Sequence, residues 1–365
     1  MLERFDVPLA PLTTLGLGGP AKRVVTAYDE AEVVAAVRAA DQRREPVLVL
    51  GGGSNVVLAD EGFAGTVVRV ASHGLRVGAP AGGSGQQRLD GSAAPVLVEA
   101  AAGEDWDALV ALCVQDSLAG IECLSGIPGL TGATPVQNAG AYGQDVSQTI
   151  TSVRVYDRSV GAVVELPAAA CGFGYRSSVF KGEDRQVVLA VTFGLSVDPL
   201  SAPVRYAELA AALDVSLGER APLGAVREAV LALRRGKGMV IDALDPDSRS
   251  AGSFFTNPVL SAADAETFRA RAATVVGEGV RVPEHPEPDG RVKLSAAWLI
   301  EHAGFAKGHG EGPVGLSSKH TLALVHRGGG RTADLLAVAR EVRDGVREAF
   351  GVELVAEPLL LGGSL

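Results

Sequence analysis

The sequence has little of what membrane-spanning or nucleic-acid-binding proteins require. Among its 365 residues, no apolar run approaches the ~18 residues needed to span a bilayer. Aromatic residues make up only 5% of the chain and the formal net charge is −10, so a surface for a polyphosphate backbone is disfavoured. We therefore predict neither a nucleic-acid partner nor a membrane partner, and we expect any anionic ligand to meet a local basic cluster.

Cysteine and metal-binding patterns are also scarce. Cys113, Cys123 and Cys171 are odd in number, widely spaced and form no CxxC pair, which predicts reduced thiols and argues against a disulfide frame or a zinc site. The six histidines form no HxH or HExxH pattern, so we predict no metal. Charged residues and two prolines interrupt the first 16 residues, where a signal peptide needs an apolar stretch. We predict a cytoplasmic protein.

What the sequence does contain is enough apolar content, 47% of residues, for two or three domains with proper cores. Apolar periodicity and capping signals predict helices at 29–44, 104–118, 226–235, 295–303 and 332–350. Apolar runs predict strands at 47–50, 56–58, 151–156, 162–166, 187–193 and 352–362. Residues 72–95 are rich in Gly, Ser and Ala and predict a long surface hairpin or flexible insertion without catalytic residues. The composition changes near Ala221, which indicates a separate domain.

A glycine-rich turn lies between the first two predicted strands. It consists of Gly51, Gly52, Gly53, Ser54 and Asn55. Glycine has no Cβ and reaches positive φ at little cost, so the backbone N–H groups of such a turn can approach a diphosphate closely. The turn matches neither G-x-G-x-x-G nor G-x-x-x-x-G-K-[ST], which disfavours Rossmann and P-loop folds. An ordinary tight hairpin is the alternative, and for glycine runs in general it is the more common one.

A second glycine-rich segment covers residues 120–146 (GIECLSGIPGLTGATPVQNAGAYGQDV). It has six glycines and little bulk before Tyr142. Such a segment is too restricted for a random loop and too poor in apolar residues for a core helix. We therefore predict that it wraps closely around a flat ligand.

Four segments in this order resemble the UDP-N-acetylenolpyruvoylglucosamine reductases, the MurB family, in its longer first-type architecture. They are LGLGGPA (15–21), VLVLGGGSNVVL (47–58), the segment 120–146 and FGYRSSVFK (173–181), and the resemblance extends over nearly the whole chain. It implies an α+β protein in which two subdomains of the PCMH or vanillyl-alcohol-oxidase type enclose FAD and a third α+β domain binds substrate. The implied boundaries are 1–70 and 71–220 for the FAD-binding subdomains, 221–352 for the substrate domain and 353–365 for a C-terminal strand returning to the active site.

The resemblance also implies a reaction and its reactants. NADPH reduces FAD, leaves, and is replaced in the same channel by UDP-N-acetylglucosamine enolpyruvate, which is reduced to UDP-N-acetylmuramate for peptidoglycan synthesis, and so for cell-wall biogenesis, cell shape and division. Flavin N5 delivers hydride to the terminal carbon of the double bond. Negative charge then develops beside the carboxylate and must be stabilised and protonated. The implied enzyme is a monomer.

Three residues match the family positions for this chemistry. Arg176 in FGYRSS would bind the substrate carboxylate, Glu357 in the predicted terminal strand would stabilise the enolic intermediate, and Ser253 in AGSFFTNP (251–258) would donate the final proton. Without the resemblance, Ser253 is more simply a turn or N-cap serine and Arg176 a surface ion-pair partner. Glu357 is an acid within an apolar run, for which an edge-strand position is the alternative.

The resemblance assigns further residues to the two ligands. The FAD residues are the turn Gly51, Gly52, Gly53, Ser54 and Asn55, with Ser125, Gly126, Gly129, Gly132, Asn138, Gly140 and Ala141. The substrate residues are Tyr206, Arg234, Lys237, Asn257, His285, Lys293 and His320, with Lys319 as a neighbour. For the cations the alternative is a solvated helix end, and for His320 a structural histidine. His285 stands where first-type members tend to carry a tyrosine in a closing loop, and Gly52 stands where an acid is common.

Two other functions remain open on the sequence. An FAD oxidase or dehydrogenase for small hydroxy acids or alcohols would need a base to take a proton from its substrate and no diphosphate-binding cations. A nucleotide-sugar binding protein that has lost its flavin would purify without colour. The set of Arg176, Ser253 and Glu357 favours the reductase.

Overall fold

The computed structural model describes residues 1–78, 94–277 and 279–365, which combine helices and strands. The helices of these residues are α1 (Glu30–Gln42), α2 (Trp106–Gln115), α3 (Ala207–Leu213), α4 (Leu223–Gly236), α5 (Ala262–Val276), α6 (Ala296–His302) and α7 (Thr332–Phe350). The strands are β1 (Leu2–Pro8), β2 (Pro20–Ala27), β3 (Val47–Leu50), β4 (Val56–Leu58), β5 (Phe63–Val70), β6 (Leu75–Val77), β7 (Val96–Ala101), β8 (Leu118–Ala119), β9 (Gly140–Ala141), β10 (Gln144–Asp145), β11 (Ile150–Asp157), β12 (Ala162–Pro167), β13 (Gln186–Val197), β14 (Val259–Leu260), β15 (Glu284–Pro286), β16 (Val292–Leu294), β17 (Val314–Leu316), β18 (Leu324–His326) and β19 (Leu359–Leu361). None of the helices in these ranges is long and apolar enough to cross a membrane.

The chain divides into two compact units, and both are assembled from separate stretches of sequence. The first unit contains Met1–Val7, Ala21–Gly52 and Ala64–Arg235, and the second contains Pro8–Pro20, Gly53–Phe63 and Gly236–Leu365. Most of α4, which the sequence places in the substrate domain, lies in the first unit. The predicted division into two FAD subdomains and a substrate domain is not tested by this partition and stays a prediction.

The first unit is built on two sheets. One has the strand order β1-β2-β5-β3, and the other has the order β12-β11-β13-β7-β6, with β8 paired to β13. Apolar side chains of β11 and β13 form the core together with α2, whose Trp106 packs on Phe193 with ring centroids 5.7 Å apart. Cys113 is buried in this core, as its helical spacing predicts, and burial raises the pKa of its thiol to about 12.

Helix α1 begins where the sequence predicts a capping box, but only half of that box is present. The Asp29 carboxylate accepts a hydrogen bond from the Glu32 N–H at 2.8 Å, as an N-cap should. The Glu32 carboxylate accepts from the Tyr28 N–H at 2.8 Å, one residue before the expected donor. The helix nevertheless buries the predicted apolar face, including Val33 and Val37.

The second unit packs α5, α6 and α7 with three small sheets, β14-β16-β15, β17-β18 and β19-β4. Helix α7 has the predicted bounds and buries Leu335, Ala339, Val342 and Val346, because its apolar residues repeat every three or four positions. Its first turn is capped by Asp60, whose carboxylate accepts from the N–H groups of Thr332 and Ala333 at 2.8 and 3.0 Å.

The predicted terminal strand and the predicted insertion are found only in part. The strand predicted over 352–362 is wrong in extent: only Leu359–Leu361 forms a strand, paired parallel with β4. Pro358 precedes it and has no N–H for a ladder, so Glu357 lies outside the strand. Of the predicted insertion at 72–95, residues 79–93 lie outside the described part of the chain, while β6 at its start pairs with β7.

Candidate active site

The turn Gly51–Asn55 is not the loop of a hairpin, so that alternative is wrong. Strand β3 before the turn pairs with β5, and strand β4 after it pairs with β19, both in parallel register. Gly53 has a φ of +63°, and a Cβ on it would lie 2.0 Å from the Leu12 carbonyl oxygen. The Gly53 carbonyl accepts from the Thr14 N–H at 3.1 Å. The turn therefore needs glycine for a shape that joins two different sheets.

The two glycine-rich segments approach each other backbone to backbone. A Cβ on Gly52 would lie 2.8 Å from the Cα of Gly129. Gly129 has a φ of +119°, and its carbonyl accepts from the N–H of Trp106, the first residue of α2, at 3.1 Å. Gly132 also packs too closely for a side chain, since a Cβ on it would lie 2.4 Å from the Cβ of Ala102. The segment is thus pressed against the start of α2 and against Gly52.

This arrangement fits a diphosphate-containing cofactor. Where Gly52 and Gly129 meet, neither residue has a side chain to cover the peptide groups, which is what a backbone cradle for phosphate requires. Two residues further along, the hydroxyl of Thr131 is buried and has no hydrogen-bond partner within the described part of the chain. A buried hydroxyl in that state is a ready donor for a bound group.

Ser125 and Asn138, both predicted to contact FAD, also hold the segment itself. The Ser125 hydroxyl donates to the Glu122 carbonyl at 2.7 Å and is fully buried. The Asn138 side chain donates to the Gly174 carbonyl at 3.1 Å and accepts from the Ser147 N–H at 3.0 Å. The bond to the Gly174 carbonyl ties the segment to the loop that carries Arg176.

Arg176 lies directly beside the predicted cofactor residues of β9. One guanidinium N–H group donates to the Gly140 carbonyl at 2.9 Å, and Gly140 is followed by Ala141 in the same strand. Arg176 has a φ of +50°, and its own carbonyl accepts from the Lys181 ammonium at 2.9 Å. A left-handed conformation at a non-glycine residue is strained, and such strain is concentrated at functional sites.

A second guanidinium group, that of Arg234, is buried in the same unit. Arg234 is only 8% exposed, and burial lowers its pKa to about 10; Tyr142 and Asp107 oppose that shift and Arg176 adds to it. The solvated helix-end alternative is therefore wrong for Arg234. Arg176 is near enough to Arg234 to lower the pKa of Arg234 further, so the two guanidinium groups form a local site of positive charge in an acidic chain.

Tyr206 packs against Tyr142, a residue that the sequence does not single out. Their rings are edge to face, with centroids 5.3 Å apart and an interplanar angle of 84°. Tyr142 and Gly143 join β9 to β10 with φ values of +49° and +85°, which is a two-residue turn with both φ angles positive. Burial raises the pKa of Tyr142 to about 12. The dipeptide Tyr-Gly between short strands was the available signal for this turn.

Asp107 ties the glycine segment to α4. Its carboxylate accepts two hydrogen bonds from the Arg227 guanidinium, at 2.6 and 2.8 Å, and one from the Gly126 N–H at 2.6 Å. Burial alone would raise the pKa of Asp107, but these bonds outweigh it and hold the pKa below its ordinary value. The pair was not predicted, because its members are 120 residues apart.

Replacing Asp107 with asparagine should destabilise the first unit in a pH-dependent way. A lowered folded-state pKa contributes stability that is fully present above the unfolded value of about 3.9 and disappears as pH falls through the folded value. We expect the variant to be about 1 to 2 kcal/mol less stable near neutral pH, as for the loss of a charged hydrogen bond at a half-exposed site. Trp106 fluorescence during urea unfolding, in a Trp298→Phe background, measures this difference.

The control for this experiment is Asp116→Asn, which changes an exposed acid next to the end of the same helix. It should shift the unfolding midpoint little at any pH. A wild-type advantage over Asp107→Asn that persists unchanged in acid would show that the charge of Asp107 is not what stabilises this region.

In the second unit, Ser253 and Glu357 lie on two backbone segments that pair with each other. The Glu357 N–H donates to the Phe254 carbonyl at 2.9 Å, and Phe255 and Ala356 form an antiparallel bridge. Glu357 is 9% exposed and Ser253 is half-buried. The N-cap alternative for Ser253 is wrong, since α5, the next helix, is capped by another serine. The two predicted residues therefore lie close together, because the backbone segments that carry them pair with each other.

The predicted substrate residues Lys293 and His285 occupy directly opposed positions on β16 and β15. The Lys293 ammonium forms an ion pair with Glu287 at 2.5 Å. Lys293 lies in a strand, so the helix-end alternative is wrong for it, while His285 is exposed. Asn257 uses its side-chain oxygen to accept from the N–H of Ala296, the first residue of α6, at 2.9 Å.

The remaining predicted residues lie on loops of the second unit. Lys237 follows α4 and is half-buried. The Lys319 ammonium forms an ion pair with Asp245 at 2.7 Å, and the bond raises the pKa of Lys319. The backbone N–H groups of Lys319 and His320 both donate to the buried Ser317 hydroxyl, at 3.0 and 3.2 Å. The predicted site residues as a whole are distributed over both units.

Comparison with known families first defines the class of protein. Residues 21–167 match a family model described as an FAD binding domain, and residues 245–361 match one described as the C-terminal domain of UDP-N-acetylenolpyruvoylglucosamine reductase. The chain is thus an FAD-containing oxidoreductase, and the glycine cradle described above lies largely within the first match.

Relatives that match over nearly the whole chain identify the family within this class. The chain is 57% identical to UDP-N-acetylenolpyruvoylglucosamine reductase of Thermobifida fusca over 99% of this chain and 98% of that protein. It is 55% identical to the enzyme of the same name from Streptomyces avermitilis, over 100% and 96% of the two chains. The chain belongs to the family of UDP-N-acetylenolpyruvoylglucosamine reductases.

A solved structure shows the same fold. The crystal structure of UDP-N-acetylenolpyruvylglucosamine reductase (MurB) from Thermus caldophilus matches with a TM-score of 0.62 at 24% identity, over 99% of this chain and all of that chain. The predicted resemblance, the α+β FAD-binding fold and the FAD cofactor are confirmed. The roles of individual site residues stay predictions.

Proposed function

We propose that the chain reduces UDP-N-acetylglucosamine enolpyruvate to UDP-N-acetylmuramate, with bound FAD and with NADPH as the reductant, in peptidoglycan precursor synthesis. Membership of the reductase family supports this reaction. The structural observation that carries it is the buried Arg234 with Arg176 near enough to lower its pKa further, in a chain of net charge −10. A substrate with a carboxylate and a diphosphate needs such a concentration of positive charge, and an oxidase for small neutral alcohols does not.

FAD would be held by the two glycine-rich segments. The residues proposed to contact it are those of the turn Gly51–Asn55 and Ser125, Gly126, Gly129, Gly132, Asn138, Gly140 and Ala141. Backbone N–H groups of the turn would bind the diphosphate, and the closeness of Gly52 to Gly129 leaves no room for side chains that would cover them. When bound there, FAD would supply the hydride chemistry of the reaction, with NADPH as the source of the hydride.

Arg176 binds the carboxylate of the enolpyruvyl group. Its planar guanidinium offers a fork of donors that matches a carboxylate in two parallel hydrogen bonds. The bond from one N–H group to the Gly140 carbonyl fixes the direction of that fork. Positive charge at this position also stabilises the negative charge that develops next to the carboxylate during reduction.

Ser253 donates the final proton to the carbon beside the carboxylate. A serine hydroxyl is a weak acid, but a carbanion is a much stronger base, so the transfer is favourable where bulk water is excluded. Glu357, nearly buried and on the paired segment, stabilises the enolic species by sharing a proton. The backbone bond between Phe254 and Glu357 keeps the two segments in register.

The remaining polar residues bind the nucleotide and the reductant. Cations at Arg234, Lys237 and Lys293 neutralise the diphosphate, and Lys319 lines the same channel. We assign Tyr206, Asn257, His285 and His320 to the same ligand or to NADPH, which share one channel in this proposal. We further propose a monomeric enzyme in the cytoplasm, where its three buried cysteines remain reduced.

Anaerobic titration of the reduced enzyme tests the substrate assignment. The purified protein should be yellow, should lose flavin absorbance on addition of NADPH, and should regain it on addition of UDP-N-acetylglucosamine enolpyruvate. UDP-N-acetylglucosamine, which lacks the double bond, is the control and should not restore the absorbance. Recovery with a keto acid such as pyruvate, the oxidised product of a hydroxy acid, or no recovery with the enolpyruvyl nucleotide, would contradict the proposal. A colourless protein that binds the nucleotide would favour a binding role.

A further inference from the structure

A buried carboxylate, that of Glu122, has no part in the reaction proposed above. Glu122 is 0% exposed and lies at the start of the second glycine segment. Burying a charge is costly unless hydrogen bonds compensate it. The hydrogen bonds of this carboxylate therefore indicate which parts of the structure it holds in place.

Within the described residues, the Glu122 carboxylate accepts three hydrogen bonds, all from groups of the first unit. One oxygen accepts from the Gly120 N–H at 2.7 Å. The other accepts from the Gln144 side-chain amide at 2.9 Å and from the Ala202 N–H at 3.3 Å. The Gln144 amide oxygen in turn accepts from the Cys123 N–H at 2.9 Å. The glycine segment, the β9–β10 hairpin and the loop before α3 are thus joined at one point.

Two of these loops lead to the aromatic pair. Gln144 is the first residue of β10, directly opposite Ala141 across the turn that holds Tyr142. Ala202 precedes Tyr206 by four residues, and Tyr206 is the N-cap residue of α3. The carboxylate is therefore linked to both tyrosines, to Tyr142 through the hairpin and to Tyr206 through the loop.

We propose that Glu122 is a positioning residue that sets the edge-to-face pair of Tyr142 and Tyr206, and through it the binding of the nucleotide ligands. The link to the ligands rests on the proposed function, which assigns Tyr206 to their channel. The link to the tyrosine pair depends only on the contacts of Glu122.

Glutamine cannot replace Glu122 without loss of a bond. All three partners of the carboxylate are donors. Whichever of the two oxygens the NH2 group of a glutamine replaces, that NH2 group faces an N–H donor instead of an acceptor. Exchange of the two residues, Glu122→Gln with Gln144→Glu, restores most of the arrangement. The new glutamine donates to the new glutamate and accepts from the Gly120 N–H, and the glutamate accepts from the Cys123 N–H. Only the Ala202 N–H, at the longest distance, loses its acceptor.

The test combines fluorotyrosine NMR with kinetics. The chain has five tyrosines, so fluorotyrosine gives five signals that single Tyr→Phe substitutions assign. In Glu122→Gln we expect the Tyr142 and Tyr206 signals to move and the KM for the enolpyruvyl nucleotide to rise about 10-fold, the equivalent of one hydrogen bond, with kcat changed much less. In the exchange variant the Tyr142 signal should return and the Tyr206 signal should return in part.

Asp157→Asn is the matched control. Asp157 is a buried acid of the same unit, but its partners are Arg185 and Ser159. It should leave the Tyr142 and Tyr206 signals in place, which separates a specific effect from general loosening. If Glu122→Gln does not fold, the exchange variant alone tests the proposal. Recovery of folding and of the Tyr142 signal in that variant still requires the predicted hydrogen bond between residues 122 and 144.

The outcomes separate the inference from the proposed function. Unmoved tyrosine signals in Glu122→Gln overturn the positioning role, whatever the kinetics. An exchange variant as perturbed as the single variant overturns it as well. Moved signals with an unchanged KM uphold the positioning of the tyrosine pair and contradict the assignment of Tyr206 to the nucleotide channel.

Discussion

Ser253→Ala should reduce turnover with the enolpyruvyl nucleotide by roughly 100-fold or more, the usual contribution of a general acid. Reduction of the bound flavin by NADPH should proceed at its normal rate, because that half-reaction needs no proton from serine. Anaerobic stopped-flow absorbance measures the two half-reactions separately. In Ser253→Ala, the flavin should bleach with NADPH at the normal rate, and its absorbance should return at least about 100-fold more slowly than in the wild type after the nucleotide is added.

The structure gives this variant a good prospect of folding. Ser253 is half-buried, and the neighbouring contacts are made by backbone: the Phe254 N–H donates to the Leu322 carbonyl at 2.7 Å and the Phe254 carbonyl accepts from Glu357. Thr256→Val is the matched control, since it removes another hydroxyl from the same segment. That variant should keep turnover, and near-normal turnover in Ser253→Ala would remove this serine from the mechanism.

Gly52→Ala should weaken the binding of FAD. The added Cβ would lie 2.8 Å from the Gly129 Cα, which is closer than real Cβ contacts come, and a backbone atom cannot move aside by changing rotamer. Overpacking of this kind costs about 1 to 3 kcal/mol, so the dissociation constant for FAD should rise about 5-fold to 150-fold. Flavin fluorescence during titration of the apoprotein measures this constant.

The neighbouring glycine supplies the control. A Cβ on Gly51 would lie 3.7 Å from the Leu130 side chain, an ordinary van der Waals contact, and Gly51 shows no positive φ. Gly51→Ala should therefore bind FAD nearly as the wild type does. Equal FAD affinity in both variants would mean that the contact between the two glycine segments does not shape the cofactor site.

The helices with strong local signals could be predicted from the sequence. Helix α7 repeats apolar residues every three or four positions over five turns, and α1 and α2 begin at Asp29 and Asp105, whose side chains cap them. Strand β1, with nearly every residue exposed, was missed, and so was α5, which buries only three residues. Strand β1 has no buried face for a pattern to detect, and the buried face of α5 consists of two alanines and Phe268, which is a weak signal.

The candidate site, too, could be predicted only in part from the sequence. The sequence motifs supported FAD, the reductase family and a set of candidate residues, because glycine turns and motif order are local properties of the chain. They did not indicate that Arg234 is buried beside Tyr142, that Asp107 binds Arg227, or that Glu122 joins three loops. Each of these contacts connects residues that are distant in sequence or that look like ordinary surface charges.

By itself, the sequence determined the acidic composition, the main helices, the two glycine segments and the family. Glycine content, caps and periodicity act within a few residues, so they can be interpreted without a fold. Only the tertiary structure decided that the turn at Gly51–Asn55 joins two sheets, that Glu357 stands outside its strand, and that Gly52 meets Gly129. These features depend on which strands pair and how closely backbones approach, and both follow from packing the whole chain.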